Sequence, residues 1–182
     1  PQSEVVIRGS REGFSETLRV NTSLLRRRIR DPRLWIEEFT VGRVSHTQVA
    51  ITYIKGIADD KVVQEVRDRI TRIDVDSIQE SGELEEYIED EPLSPFPTIL
   101  RTERPDRVAG ALFEGRIAIL TDGTPFVLIV PVTFLMFLTS PEDYYERFFI
   151  ASAVRLLRYA SFFIAFLLPA LYVAVTTFHQ EM

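Results

Sequence analysis

Apolar positions along the first 130 residues follow two rhythms. Residues 35–42 and 48–54 are dense in β-branched and aromatic side chains with turn residues between them, which predicts two strands. Leu18, Leu25 and Ile29 return at helical spacing, so a helix is predicted from an N-cap at Ser15 to about Ile29, ended by Asp31-Pro32. Val62, Val63, Val66 and Ile70 repeat that spacing behind Asp59 or Asp60 as a cap. A short acidic helix is expected from about Gly82 to Ile88, then an extended connector through Pro92, Pro95 and Pro97. A strand near Thr98–Arg101 leads to Pro105, which opens a helix through Phe113 that Gly115 closes. Ile117–Thr121 and Phe126–Val130 flank Asp122-Gly123-Thr124-Pro125, a hairpin signal. With a further strand at Glu4–Ile7, the pattern predicts an α/β (mixed α+β) soluble domain over residues 1–150, with a possible subdivision near 92–97.

The pattern then changes. Phe126 to Leu138 is uncharged, but Pro131 interrupts it and it is too short to span a membrane, so it reads as a strand plus an interfacial turn. Pro141, Glu142 and Asp143 open a helix expected to run through Arg158 into the run from Tyr159 to Phe178, which holds no charged side chain. About 20 helical residues cross about 30 Å of hydrocarbon. The run is too long and too evenly apolar for a core helix. Residues 151–182 are therefore read as a juxtamembrane helix and a transmembrane span. Arg155 and Arg158 at its entrance are candidate membrane anchors on the cytoplasmic side, which puts the soluble domain in the cytoplasm and His179 onward across the bilayer. Ser161 and Ala165, like Ala170 and Ala174, lie four apart, as close helix packing requires. Pro169 is a candidate hinge, and Thr176 and Thr177 are candidate pore-helix hydroxyls, against the plainer reading of ordinary bundle packing.

Charge adds an interface. Residues 1–55 carry ten basic and six acidic side chains, whereas residues 59–91 carry four basic and thirteen acidic. Arg26, Arg27, Arg28 and Arg30 are candidate subunit-interface residues, paired with Glu83, Glu85 and Glu86 of a neighbouring copy. Anionic lipid is a second reading of the arginine run, and nucleic acid is not expected. The chain has no cysteine, which excludes thiolate chemistry. His46 and His179 lack ligand-spaced companions, the acidic run lacks calcium-loop spacing, and no phosphate loop or nucleophile elbow occurs. No enzyme activity, cofactor or metal is expected.

Longer phrases carry a resemblance. Ile7-Arg8-Gly9-Ser10-Arg11-Glu12-Gly13-Phe14, Asn21-Thr22-Ser23-Leu24-Leu25-Arg26-Arg27-Arg28-Ile29 and Tyr53-Ile54-Lys55-Gly56-Ile57-Ala58-Asp59 are among them. So are Thr102-Glu103-Arg104-Pro105-Asp106, and Ser140-Pro141-Glu142-Asp143-Tyr144-Tyr145-Glu146-Arg147-Phe148. Together they resemble the A subunit of spore germinant receptors, the GerA family, over essentially the whole chain. Gly9-Ser10 and His46 depart from the usual pattern at single positions. The resemblance implies a spore inner-membrane protein that works with a transporter-like B subunit and a lipoprotein C subunit. It further implies a homo-oligomeric, cation-conducting channel opened by nutrients. The chain would be the second soluble subdomain plus the first membrane helix, and is expected to extend both ways. Two alternatives remain open: a related protein that accompanies the dipicolinic-acid release channel, and a ligand-binding regulatory module of a transporter.

Overall fold

In the computed structural model the described residues are 12–89, 97–139, 143 and 147–178. The predicted strand at Glu4–Ile7 and the connector at Pro92 and Pro95 lie outside them. The chain divides into two compact units, residues 1–133 and 134–182.

The first unit is built on one antiparallel sheet. Its elements in chain order are α1 (Leu18–Arg28), β1 (Leu34–Val41), β2 (Thr47–Ile54), α2 (Asp60–Arg72), α3 (Ser81–Ile88), β3 (Leu100–Thr102), α4 (Pro105–Phe113), β4 (Ile117–Thr121) and β5 (Val127–Val130). The strand order is β1-β2-β4-β5-β3. β1 and β2 pair from Leu34↔Ile54 to Val41↔Thr47, and β2 meets β4 at Ile51↔Ile119. Side chains alternate across the pleat, so Val49, Ile51, Tyr53, Ile117, Ile119 and Leu128 share one face. There they pack on Val63, Val66 and Ile70 of α2 and on Leu84 and Ile88 of α3. α1 and α4 cover the opposite face. A sheet covered on both sides needs no polar alternation, which is why β2 and β4 read as nearly continuous apolar runs.

Helix ends show where local reading holds. Asp59 caps α2, its carboxylate accepting from the Lys61 backbone N–H at 2.9 Å. Pro105 occupies the first turn of α4, where a missing N–H costs nothing. Gly115 turns the chain at φ +85, and a Cβ there would stand 2.8 Å from the Ile57 carbonyl oxygen, so the position needs glycine. The N-cap expected at Ser15 is displaced to Thr17, which makes no side-chain cap of its own. The exposed carboxylate of Asp122, on the β4–β5 turn, accepts from the Leu18 N–H at 2.8 Å instead. Gly123 N–H donates to the Glu16 carbonyl at 2.8 Å, fastening the same junction. Ser15 is held by buried Asn21, whose side chain accepts from the Ser15 N–H at 2.8 Å and donates to the Ser15 carbonyl at 2.6 Å.

The second unit contains a short helix, α5 (Phe134–Phe137), and the long helix α6 (Phe148–Phe178). α6 begins at Phe148, not at Pro141 as the proline and acids suggested. Asp143 is not part of α6, and residues 140–142 and 144–146 are outside the described set.

Candidate assembly and membrane-span residues

The arginine run closes α1. Arg26 and Arg30 are exposed, Arg27 pairs with Glu12, and Arg28 reaches the same carboxylate at 3.3 Å. Cations in a last turn meet the negative end of the helix dipole. The Arg27 hydrogen bond is the largest cause holding the Glu12 carboxyl below its ordinary range.

The acids proposed as their partners do not share one environment. Glu83 accepts from the Gln79 N–H at 2.9 Å, a local closure of the start of α3. Glu86 is exposed. Glu85 turns inward toward Arg101 at 3.2 Å, with its side chain only 14% exposed. Burial raises its pKa, an effect that Arg101 opposes. The acidic stretch is therefore not uniformly a solvated face, because α3 packs along the side that carries Leu84, Glu85 and Ile88.

Other polar groups inside the first unit were not singled out by sequence spacing. Arg67 on α2 reaches Glu37 on β1 at 2.8 Å, and the Tyr53 hydroxyl donates to the same carboxylate at 2.6 Å. The Arg67 hydrogen bond lowers the Glu37 pKa. Burial, then the Glu37 hydrogen bond, pushes the Tyr53 phenol up to about 12. Arg104, 3% exposed, pairs with Asp106 at 2.7 Å across the start of α4. The two sit in the Glu-Arg-Pro-Asp phrase, and a structural ion pair accounts for them there. His46 occupies the β1–β2 turn in a left-handed conformation, φ 47.

In the second unit Arg155 and Arg158 converge on Asp143, whose side chain is 5% exposed. Arg158 approaches at 3.0 Å and also donates to the Leu138 carbonyl at 2.6 Å, while Arg155 lies 3.8 Å away. The candidate anchors thus also tie the segment before α6 to its third turn. The ring of Phe134 in α5 meets that of Phe162 at a tilt, centroids 5.3 Å apart.

α6 has 31 residues, and its stretch from Phe148 to Thr177 is long and apolar enough to cross a membrane, its most apolar 18-residue window having a mean hydropathy of 1.9. None of its most apolar window is buried by the protein. At about 1.5 Å per residue the helix is longer than a bilayer core is thick. It continues helically through Pro169. Thr176 donates its hydroxyl to the Tyr172 carbonyl at 2.9 Å, while Thr177 is exposed. Ile164, Leu167 and Leu171 flank a shallow apolar notch at Ala170 and Ala174.

The family model described as Bacillus/Clostridium GerA spore germination protein matches residues 1–182. The chain belongs to the GerA family. It is 55% identical to spore germination protein KA of Bacillus subtilis and 54% identical to spore germination protein B1 of the same organism. Each alignment takes in all 182 residues but only 34% and 38% of those proteins, so this GerA chain spans little more than a third of their length. The crystal structure of the N-terminal domain of the A subunit of the Bacillus megaterium spore germinant receptor GerK3 is 55% identical to it. That likeness has a TM-score of 0.55 and covers 68% of this chain and 98% of that one. The mixed α/β domain is thus a GerA-family fold.

Proposed function

We propose that the chain is the part of a germinant-receptor A subunit in which the cytoplasmic-side α/β domain gives way to the first membrane span. The protein is a non-enzymatic membrane signalling subunit that couples nutrient binding to cation release. The observation that carries this reading is the combination of a family match over every residue with a 31-residue apolar helix directly after the domain. Phe163, Phe166, Leu168 and Tyr172 are 59–73% exposed, an apolar surface that water does not support and that lipid or neighbouring helices would cover.

The notch at Ala170 and Ala174 fits a second helix, which supports a homo-oligomeric pore. Arg155 and Arg158 support a cytoplasmic entrance under the positive-inside rule, in the spore inner membrane. The partners are the transporter-like B subunit and the lipoprotein C subunit. Arg26, Arg27, Arg28 and Arg30 remain candidates for contacts between copies, with Glu83 and Glu86 the accessible acids opposite them. Pro169 serves as the hinge of the pore helix, flanked downstream by the Thr176 and Thr177 hydroxyls.

Potassium release from spores tests the assignment. Spores lacking the gene lose release in response to particular nutrients, and the intact gene restores it. Pro169→Ala in that gene slows the release. Normal early release without the gene would sink the receptor reading, and an unchanged rate in the proline variant would remove the hinge alone.

A further inference from the structure

The two ends of the sheet differ in chemistry. At one end lie the turns after β1 and β4, tied to the α2–α3 connection by the Arg43 N–H to Val75 carbonyl bond. That end carries Glu16, Asp74, Asp76, Glu103, Asp106 and Asp122, against Arg19, Arg43, Arg72, Arg104 and Arg107, and Arg104 is tied up with Asp106. α1 starts there, at Asp122, and runs away from it. Its arginine-rich C-terminus therefore arrives at the other end, where Leu34 opens β1 opposite Ile54.

That second end is where β5 stops at Val130, opposite Ile117, and the chain leaves for α6. It also carries exposed apolar side chains: Trp35 is 46%, Ile57 41% and Phe113 57% exposed. The Ile57 and Gly115 loops lie close enough that a Cβ on Gly115 would stand 2.8 Å from the Ile57 carbonyl oxygen. Lys55 places its ammonium 4.7 Å over the Trp35 ring. The acids at this end are engaged: Asp31 with Arg33, Glu114 with Arg116, and Glu12 with Arg27 and Arg28. Asp59 caps α2, and Asp60 joins it at that helix's positive end. Lys55 is exposed at the Trp35 ring, and Arg26 and Arg30 are exposed at the same end of the domain, at and just beyond the end of α1 on the other face of the sheet.

Tryptophan with lysine and arginine is the side-chain set that settles at a bilayer interface. We propose that this end of the domain rests on the membrane surface and binds anionic lipid headgroups. The occupant is lipid because the chain itself departs from this end toward a helix built to cross a bilayer. The inference rests on reading α6 as a span.

Trp35 is the chain's one tryptophan and serves as the probe. The 182-residue chain is reconstituted into nanodiscs of phosphatidylcholine, with or without phosphatidylglycerol, containing lipid spin-labelled at the headgroup. Trp35 emission is quenched and shifted to the blue in discs holding phosphatidylglycerol, and added salt reverses the effect. Replacing Arg26→Gln and Arg30→Gln, both exposed, weakens the docked state by roughly 5-fold per charge removed, with the circular dichroism unchanged. Unquenched emission from chain that co-elutes with the discs overturns the proposal and leaves the span intact. Failure to co-elute overturns both. Equal quenching in the two lipids removes the headgroup charge from the account. Shielding of Trp35 in detergent that grows with protein concentration assigns the surface to a second copy instead.

Discussion

The two units spend similar side chains in opposite ways. In the first, Ile51, Ile119 and Leu128 are fully buried between a sheet and its helices. In the second, Leu167, Leu168 and Leu171 are 58–66% exposed on a single helix. Hydrophobicity alone does not separate them; the partner does. The first unit supplies its own apolar partners by folding back on itself, and its gain is apolar area removed from water. The apolar window of α6 is buried by no partner among the described residues, and its backbone bonds are closed within the helix, the condition a spanning segment must meet. A change that damages one unit should therefore leave the other's criterion untouched.

The largest expected effect is in the sheet. Ile119→Ala opens a cavity between β2, β4 and α2, and costs about 2–5 kcal/mol of stability. The urea midpoint read by Trp35 emission falls, while membrane insertion of α6 is unchanged. The converse is Leu168→Arg, which places a charge near the middle of the uncharged run and costs insertion about 3 kcal/mol. Alkaline extraction then releases the chain from membranes, and the domain's urea midpoint stays where it was. Equal sensitivity of both readouts to either change would break the separation.

The smallest effect concerns pH. Tyr53 has a folded pKa of about 12, above the ordinary phenol value of 10.0. The unfolded chain therefore loses the phenolic proton first. Stability is full below about pH 10 and falls as pH rises toward 12. Tyr53→Phe flattens that part of the slope, so its urea midpoint changes less between pH 9.5 and 11.5 than the parent's. An identical slope in both proteins would show that the phenol carries none of it.

Much of this was legible in the sequence, and the misses have a common cause. β1, β2, β4 and β5 were visible because apolar β-branched runs bounded by turn residues are local signals. The helix starts at Asp59 and Pro105 were local too. The start of α1 was misplaced because its cap, Asp122, lies 104 residues from Leu18 in sequence. The inward turn of Glu85 escaped notice because acids at consecutive positions look alike until packing selects one side of the helix. The Glu37–Tyr53–Arg67 cluster joins three elements and has no sequence spacing to betray it. The start of α6 was set too early because Pro141 and its acids form an opening signal, yet Asp143 is used to hold Arg155 and Arg158. The arginine run was singled out by composition alone, and only the sheet's direction shows that it reaches the end from which the chain departs.

The borrowed cap on α1 also sets an order of events during synthesis. The helix emerges from the ribosome long before Asp122 is made. At about 5–20 residues per second, the 104-residue gap means a wait of roughly 5–20 s. An 11-residue helix is marginal alone in water. Until the β4–β5 hairpin arrives, the nascent segment lacks both its N-terminal acceptor and the face that buries Leu18 and Leu25. The apolar helix α6 follows within the next sixty residues, so the domain closes only shortly before its membrane segment leaves the tunnel.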